Sequence, residues 1–125
     1  MMKDRPIRMF DERDEELVEL LTKTGLNRNL AKVVVYLSNV DEAVSREIEM
    51  AANLRQPEVS LAMNELRQRN WIEEREIKKK GKGRPLKSYK LTVNLKDIVS
   101  DLIRRKREEL EQMKKDLDRL EELVS

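Results

Sequence analysis

The sequence predicts a mainly helical fold of the α+β class, in which a small domain containing one β-hairpin precedes a long C-terminal helix. Three observations carry this expectation. Apolar residues recur at three- and four-residue spacing along most of the chain. One strand-like stretch, residues 71–93, is interrupted by Gly-Lys-Gly-Arg-Pro, which supplies the backbone freedom for a hairpin. Residues 95–125 contain neither glycine nor proline. Of the 125 residues, 42% are charged and 3% aromatic, a balance that would favour disorder if the apolar residues were not periodic. The domain boundary is expected between residues 93 and 94.

The elements follow in order. "DERDEELVELLTKTG" opens with Asp11 as N-cap and acidic residues in the first turn, repeats apolar residues at Leu17, Leu20 and Leu21, and stops at Gly25. "LNRNLAKVVVYLSN" places Leu30, Val33, Val34 and Leu37 on one stripe, which predicts a second helix over about residues 27 to 39 despite its β-branched run. "SREIEMAAN" begins with Ser45 as N-cap and turns Ile48 and Ala52 inward. "LRQ" then breaks the period before Pro57, a residue suited to the first turn of a helix. The helix from about residue 57 to 69 buries Val59, Met63 and Leu66, leaving Glu58, Ser60, Leu61, Asn64, Glu65 and Gln68 outward. Asn70 falls where a helix often ends in a left-handed residue. "WIEEREIKKK" and "LKSYKLTV" form the two hairpin strands, with Tyr89, Leu91 and Ile72 facing inward.

Charge is concentrated in one place. The chain carries a net +2, but residues 72–92 alone carry +5. Within them "KKKGKGRPLKSYK", residues 78–90, holds six lysines and an arginine with no acidic residue. Such a run can be solubilising surface or edge-strand protection. Immediately after two helices joined by a tight turn, it reads instead as a surface for nucleic acid.

Other chemistries are thinned out by composition. With no cysteine and no histidine, thiol and imidazole metal sites, Ser-His triads, cysteine nucleophiles and disulfides are excluded. The carboxylates lie in patterns of solvated helix faces, so no enzyme activity, metal or cofactor is expected. No apolar stretch approaches the ~20 residues of a membrane helix, and "MMKDRPIRMF" lacks a signal-peptide core; a cytoplasmic protein is expected.

The order helix, helix, helix, turn, helix, hairpin is that of a winged helix-turn-helix domain. Through "SREIEMAANLRQPEVSLAMNELRQRNWI" and the basic hairpin after it, residues 12 to 92 resemble archaeal and bacterial winged-helix transcriptional regulators of the MarR and TrmB-like kind. Asn53 and Asn70 stand where such families commonly have glycine, and Glu49 where a small residue is usual. The resemblance implies binding to double-stranded DNA, with the helix over about 57–69 in the major groove and the wing, residues 78–90, on backbone or minor groove.

The residue types fit that expectation. Gln56, Ser60 and Asn64 can exchange hydrogen bonds with base edges, Leu61 can touch a thymine methyl, and Arg55 and Arg67 can reach phosphates. Lys78, Lys79, Lys80, Lys82, Arg84 and Lys87 supply the wing's charge. Glu58 and Glu65 either read cytosine amino groups or pair with Arg55 and Arg69, the latter being expected. "KGRP" at residues 82–85 is similar to the core of an AT-hook, or simply ends the turn.

After Asn94, read as an N-cap, the final 31 residues would span ~46 Å as one helix. Ile103, Leu110, Leu117 and Val124 recur every seven residues, as do Val99, Lys106, Met113 and Leu120, giving the a and d positions of a coiled-coil seam with Lys106 as the polar member. The expectation is a homodimer reading a palindrome-like site; a helix folded back on its own domain is the plainer reading, and strand orientation is left open. A protein-interaction adaptor and a nonspecific architectural DNA binder are the rival functions. Repression or activation, target sequence and any small-molecule effector leave no mark in the sequence.

Overall fold

A computed structural model describes residues 9–77 and 86–125. Its elements are α1 (Glu12–Lys23), α2 (Arg28–Ser38), β1 (Ala43–Val44), α3 (Ser45–Ala52), α4 (Gln56–Gln68), β2 (Ile72–Ile77), β3 (Leu86–Leu91) and α5 (Leu95–Val124). Two units are distinguished, Met1–Leu95 and Lys96–Ser125. The expected class is found: helices, a small antiparallel sheet and a long C-terminal helix.

In the first unit α2 is the central element. Leu30, Ala31, Val33, Val34, Val35, Tyr36 and Leu37 are all buried, because α2 meets α1, α3, α4 and β3 on its different sides. Packing on every side overrides the weak helix propensity of three consecutive valines. Asn27 caps this helix, its side chain accepting from the N–H groups of Asn29 and Leu30 at 3.0 and 3.2 Å.

α1 starts at Asp11 as expected, in a reciprocal box with Asp14. Its inward stripe is Asp14, Val18 and Leu21, whereas Leu20, one of the repeating apolar residues, is exposed. Asp14 is buried and accepts a hydrogen bond from Asn39 at 3.1 Å, which ties the start of α1 to the end of α2. α3 also departs from expectation at its start, with Val44 as N-cap and Ser45 as the first helical residue. The reason is chemical: the Glu47 carboxylate accepts from the Val44 N–H at 3.0 Å, and Ser45 donates to Glu49 at 3.3 Å. Arg55 and Glu58 repeat this half-box at α4, with Pro57 in the first turn, where no intrahelical donor is lost.

Three helices end alike. Gly25, Asn53 and Asn70 have φ of 118°, 54° and 60°. Each is followed by an N–H bonded to the carbonyl five residues earlier: Leu26 to Leu21, Leu54 to Glu49 and Trp71 to Leu66, all at 3.0 Å. Asparagine thus fills two left-handed caps.

The sheet has the order β1-β3-β2, antiparallel throughout. Ile72 pairs with Leu91 and Ile77 with Leu86, while Ala43 and Val44 add to the other side of β3 opposite Tyr89 and Ser88. The sequence does not announce β1, since two residues carry no period. Its presence makes β3 the central strand, and the adjacent Ser88 and Tyr89 are both buried. The second unit is a single continuous helix.

Candidate nucleic-acid interface

α3 and α4 are joined by a three-residue turn, Asn53 to Arg55, made possible by the left-handed Asn53. Val59, Ala62, Met63 and Leu66 bury one face of α4, and the opposite face presents Gln56, Ser60, Leu61 and Asn64 to solvent. Leu61 is 70% exposed and contributes little to the core. Gln56 donates its amide to the Ser60 hydroxyl at 2.8 Å, one helical turn on. Polar groups and one methyl-rich side chain therefore lie along one exposed edge.

The acidic residues of α4 are turned away from that edge by basic partners. Glu65 pairs with Arg69 at 2.6 Å, and the Arg69 guanidinium lies 4.8 Å from the centre of the Trp71 ring. Glu58 accepts from the Arg55 N–H at 2.8 Å, with the Arg55 guanidinium 3.9 Å away and otherwise projecting into solvent. Of the two readings open for these glutamates, pairing is the arrangement adopted.

Arg67 forms a bridge. Its Nε donates to Glu74 of β2 at 2.7 Å, and its Nη1 donates to Asn64 Oδ1 on its own helix. Lys87 of β3 approaches the second oxygen of Glu74 at 3.3 Å. The Arg67 hydrogen bond holds the Glu74 carboxyl below the usual carboxylate range despite opposing desolvation, and Glu74 in turn raises Arg67. The carboxylate of Glu74 joins the helix to both hairpin strands. Sequence spacing gives no sign of this, since the three side chains lie on three elements.

A second carboxylate pins the hairpin from its other side. Glu42 accepts from the Ser88 hydroxyl at 2.6 Å and pairs with Arg75 at 2.7 Å; the Arg75 hydrogen bond, then that of Ser88, lowers its pKa. The strand pairing and these two carboxylates fix the hairpin on the helices. Lys78, Lys79, Lys80, Lys82 and Arg84, and with them the "KGRP" segment, lie outside the described residues.

Along α5, Ile103, Leu110, Met113, Leu117, Leu120 and Val124 are all exposed, Leu110 by 61% and Leu117 by 52%. Val99 and Lys106 on the same stripe are partly covered. Lys106 bonds to Glu109 at 3.1 Å, and pairs such as Arg104–Glu108 and Arg119–Glu122 populate the flanks. The stripe is an apolar ridge interrupted at Lys106, with charged borders. Among the described residues no helix is long and apolar enough to cross a membrane.

Solved structures share the fold. A possible transcriptional regulator from Methanosarcina mazei aligns with a TM-score of 0.56 at 14% identity, over 89% of this chain and 98% of that one. MepR, a transcription regulator of the Staphylococcus aureus multidrug efflux pump MepA, aligns with a TM-score of 0.51 at 18% identity, over 91% of both chains. The fold is the winged helix-turn-helix fold. TrmBL2, an archaeal chromatin protein, has a TM-score of 0.50 and 23% identity over 89% of this chain, which spans 42% of that protein. The sequence matches no protein-family model and no curated protein. The resemblance to MarR and TrmB-like regulators therefore holds as a likeness of fold: α3 and α4 are the helix-turn-helix, and β2 and β3 are the strands of the wing.

Proposed function

We propose that this protein is a sequence-specific regulator of transcription that binds double-stranded DNA as a homodimer. The observation that carries the reading is the outer face of α4, where Gln56, Ser60, Leu61 and Asn64 stand exposed beside a wing whose sequence is strongly basic. In a winged helix-turn-helix fold this helix is the one that enters the major groove. Arg55, with its guanidinium in solvent, serves a phosphate, and Lys78, Lys79, Lys80, Lys82 and Arg84 neutralise others. Residues 1–93 act as the DNA-binding domain and residues 94–125 as the dimerisation helix. Pairing of α5 with its copy through Val99, Ile103, Leu110, Met113, Leu117, Leu120 and Val124 covers the exposed ridge, and two copies of α4 then read a palindrome-like site.

The test is selection of duplexes from a random pool at about 150 mM salt, where phosphate-only binding is weakened. A motif with two related half-sites is expected, and Gln56→Ala and Ser60→Ala should each alter one position of it. Binding without a motif would make this an architectural DNA protein. No binding at all would leave the protein-interaction adaptor.

A further inference from the structure

Asn64 differs from Gln56 and Ser60 in being tied to the wing. The link runs from Lys87 to Glu74 (3.3 Å), from Glu74 to Arg67 (2.7 Å), and from Arg67 Nη1 to Asn64 Oδ1. An asparagine free to turn in the major groove reads adenine with both ends of its amide, Oδ1 accepting from the N6 amino group and Nδ2 donating to N7. Arg67 restricts that freedom. A guanidinium has donors and no acceptor, so the amide must present Oδ1 to it; one of the two Oδ1 lone pairs is then taken, and the Nδ2 amino group is the end turned from Arg67. Arg67 is itself held at a second N–H by Glu74, so rotating Asn64 would mean giving up a fixed partner.

We propose that Glu74 and Arg67 are positioning residues that make Asn64 a hydrogen-bond donor, so that at the base pair beneath it the protein selects an acceptor edge. Guanine, with N7 and O6 both accepting, offers such an edge; adenine sets its N6 amino group beside its N7 acceptor and cytosine presents an amino group, so a G·C pair is expected there. This rests on the reading of α4 as the base-contacting helix. It assigns a specificity role to a wing-strand carboxylate that touches no base. Because Glu74 is negative and faces two cations, its contribution to overall DNA affinity is unfavourable.

The experiment is the same random-pool selection on the full-length chain, carried out for wild type, Asn64→Ala, Glu74→Gln and Arg67→Lys, with thermal melting to establish that each is folded. Asn64→Ala identifies the base pair concerned, since discrimination there should disappear while other positions persist. Glu74→Gln removes the charge that holds Arg67, and Arg67→Lys keeps the charge but loses the fork that reaches two partners at once. Both should shift that one position toward adenine, by roughly tenfold in relative affinity. An adenine preference already present in wild type, an Asn64→Ala motif identical to wild type, or a uniform change in affinity with every position of the motif unaltered would each overturn the proposal while leaving DNA binding intact. A wild-type protein that selects no motif would instead remove the reading on which it rests.

Discussion

Ser88, in the middle of β3, donates its hydroxyl to Glu42 across 2.6 Å and 46 residues of sequence. Ser88 is almost completely buried, and Glu42 also receives the Arg75 guanidinium, with Nη2 and Nε at 2.9 and 3.2 Å from Oε2. One carboxylate thereby closes the sheet between the loop before β1 and both wing strands. The bond to a buried hydroxyl is the part least screened by solvent.

Stability should therefore fall in acid. Glu42 and Glu74 both have carboxyls lowered from 4.5, through Arg75 and Arg67 respectively. A group with a depressed folded-state pKa binds its proton more tightly in the unfolded chain, so its stabilisation is present above pH 4.5 and lost as pH falls through the folded value. Glu42→Gln should cost about 1 kcal/mol at neutral pH and progressively less as the pH falls through the folded-state value, where the wild type itself loses the charge. Thermal melts over an acid series measure the gap. A gap that does not narrow in acid would mean that ionisation of Glu42 is not what holds the wing.

The asparagine caps give a second prediction. Asn53 and Asn70 occupy left-handed backbone at φ 54° and 60°, where a Cβ is penalised and asparagine is the best tolerated residue after glycine. Asn53→Gly and Asn70→Gly should be neutral or slightly stabilising, whereas alanine at either position should cost about 1 kcal/mol. Urea unfolding of the four variants decides this. A loss with glycine as large as with alanine would show that the side-chain amides, not the backbone, are what these positions require.

How much of this was legible beforehand differs by scale. Asn70 as a helix stop, Asp11 as a cap and the outward face of α4 all follow from local rules acting over three or four residues, and the structure has them. β1 does not follow, because Ala43 and Val44 are strand only through pairing with Ser88 and Tyr89, far along the chain. The buried face of α1 does not follow from apolar spacing alone either, since it is made by Asp14, Val18 and Leu21 and leaves Leu20 exposed. At the candidate site, sequence chemistry pointed to Asn64, Arg67 and Lys87 separately. What it lacked was Glu74, whose significance lies in joining them, and a carboxylate in a strand carries no signal of its partner on a helix.

The ridge on α5 carries the third prediction. Leu110 and Leu117, at successive a positions, are each more than half exposed in the single chain, so pairing would remove them from water. Leu110→Lys and Leu117→Lys together should convert a dimer into a monomer, as should truncation after Asn94. Sedimentation equilibrium on the full chain and both variants provides the measurement. A wild-type chain that is monomeric at micromolar concentration would end the coiled-coil proposal.

The wing separates affinity from preference. Phosphate contacts release counterions, and each one lost reduces the slope of log affinity against log salt by about 0.9. Replacing Lys78, Lys79, Lys80, Lys82 and Arg84 with alanine should weaken binding to every duplex, flatten that slope by several units and leave the selected motif nearly unchanged. Lys87 is a useful contrast. It lies 3.3 Å from Glu74, so part of its charge is already compensated, and Lys87→Ala should flatten the slope by less than 0.9. Salt titrations on one specific and one unrelated duplex distinguish these effects. If the five-residue variant keeps the wild-type slope, the basic run is solubilising surface, and DNA contact is confined to α4 and its turn.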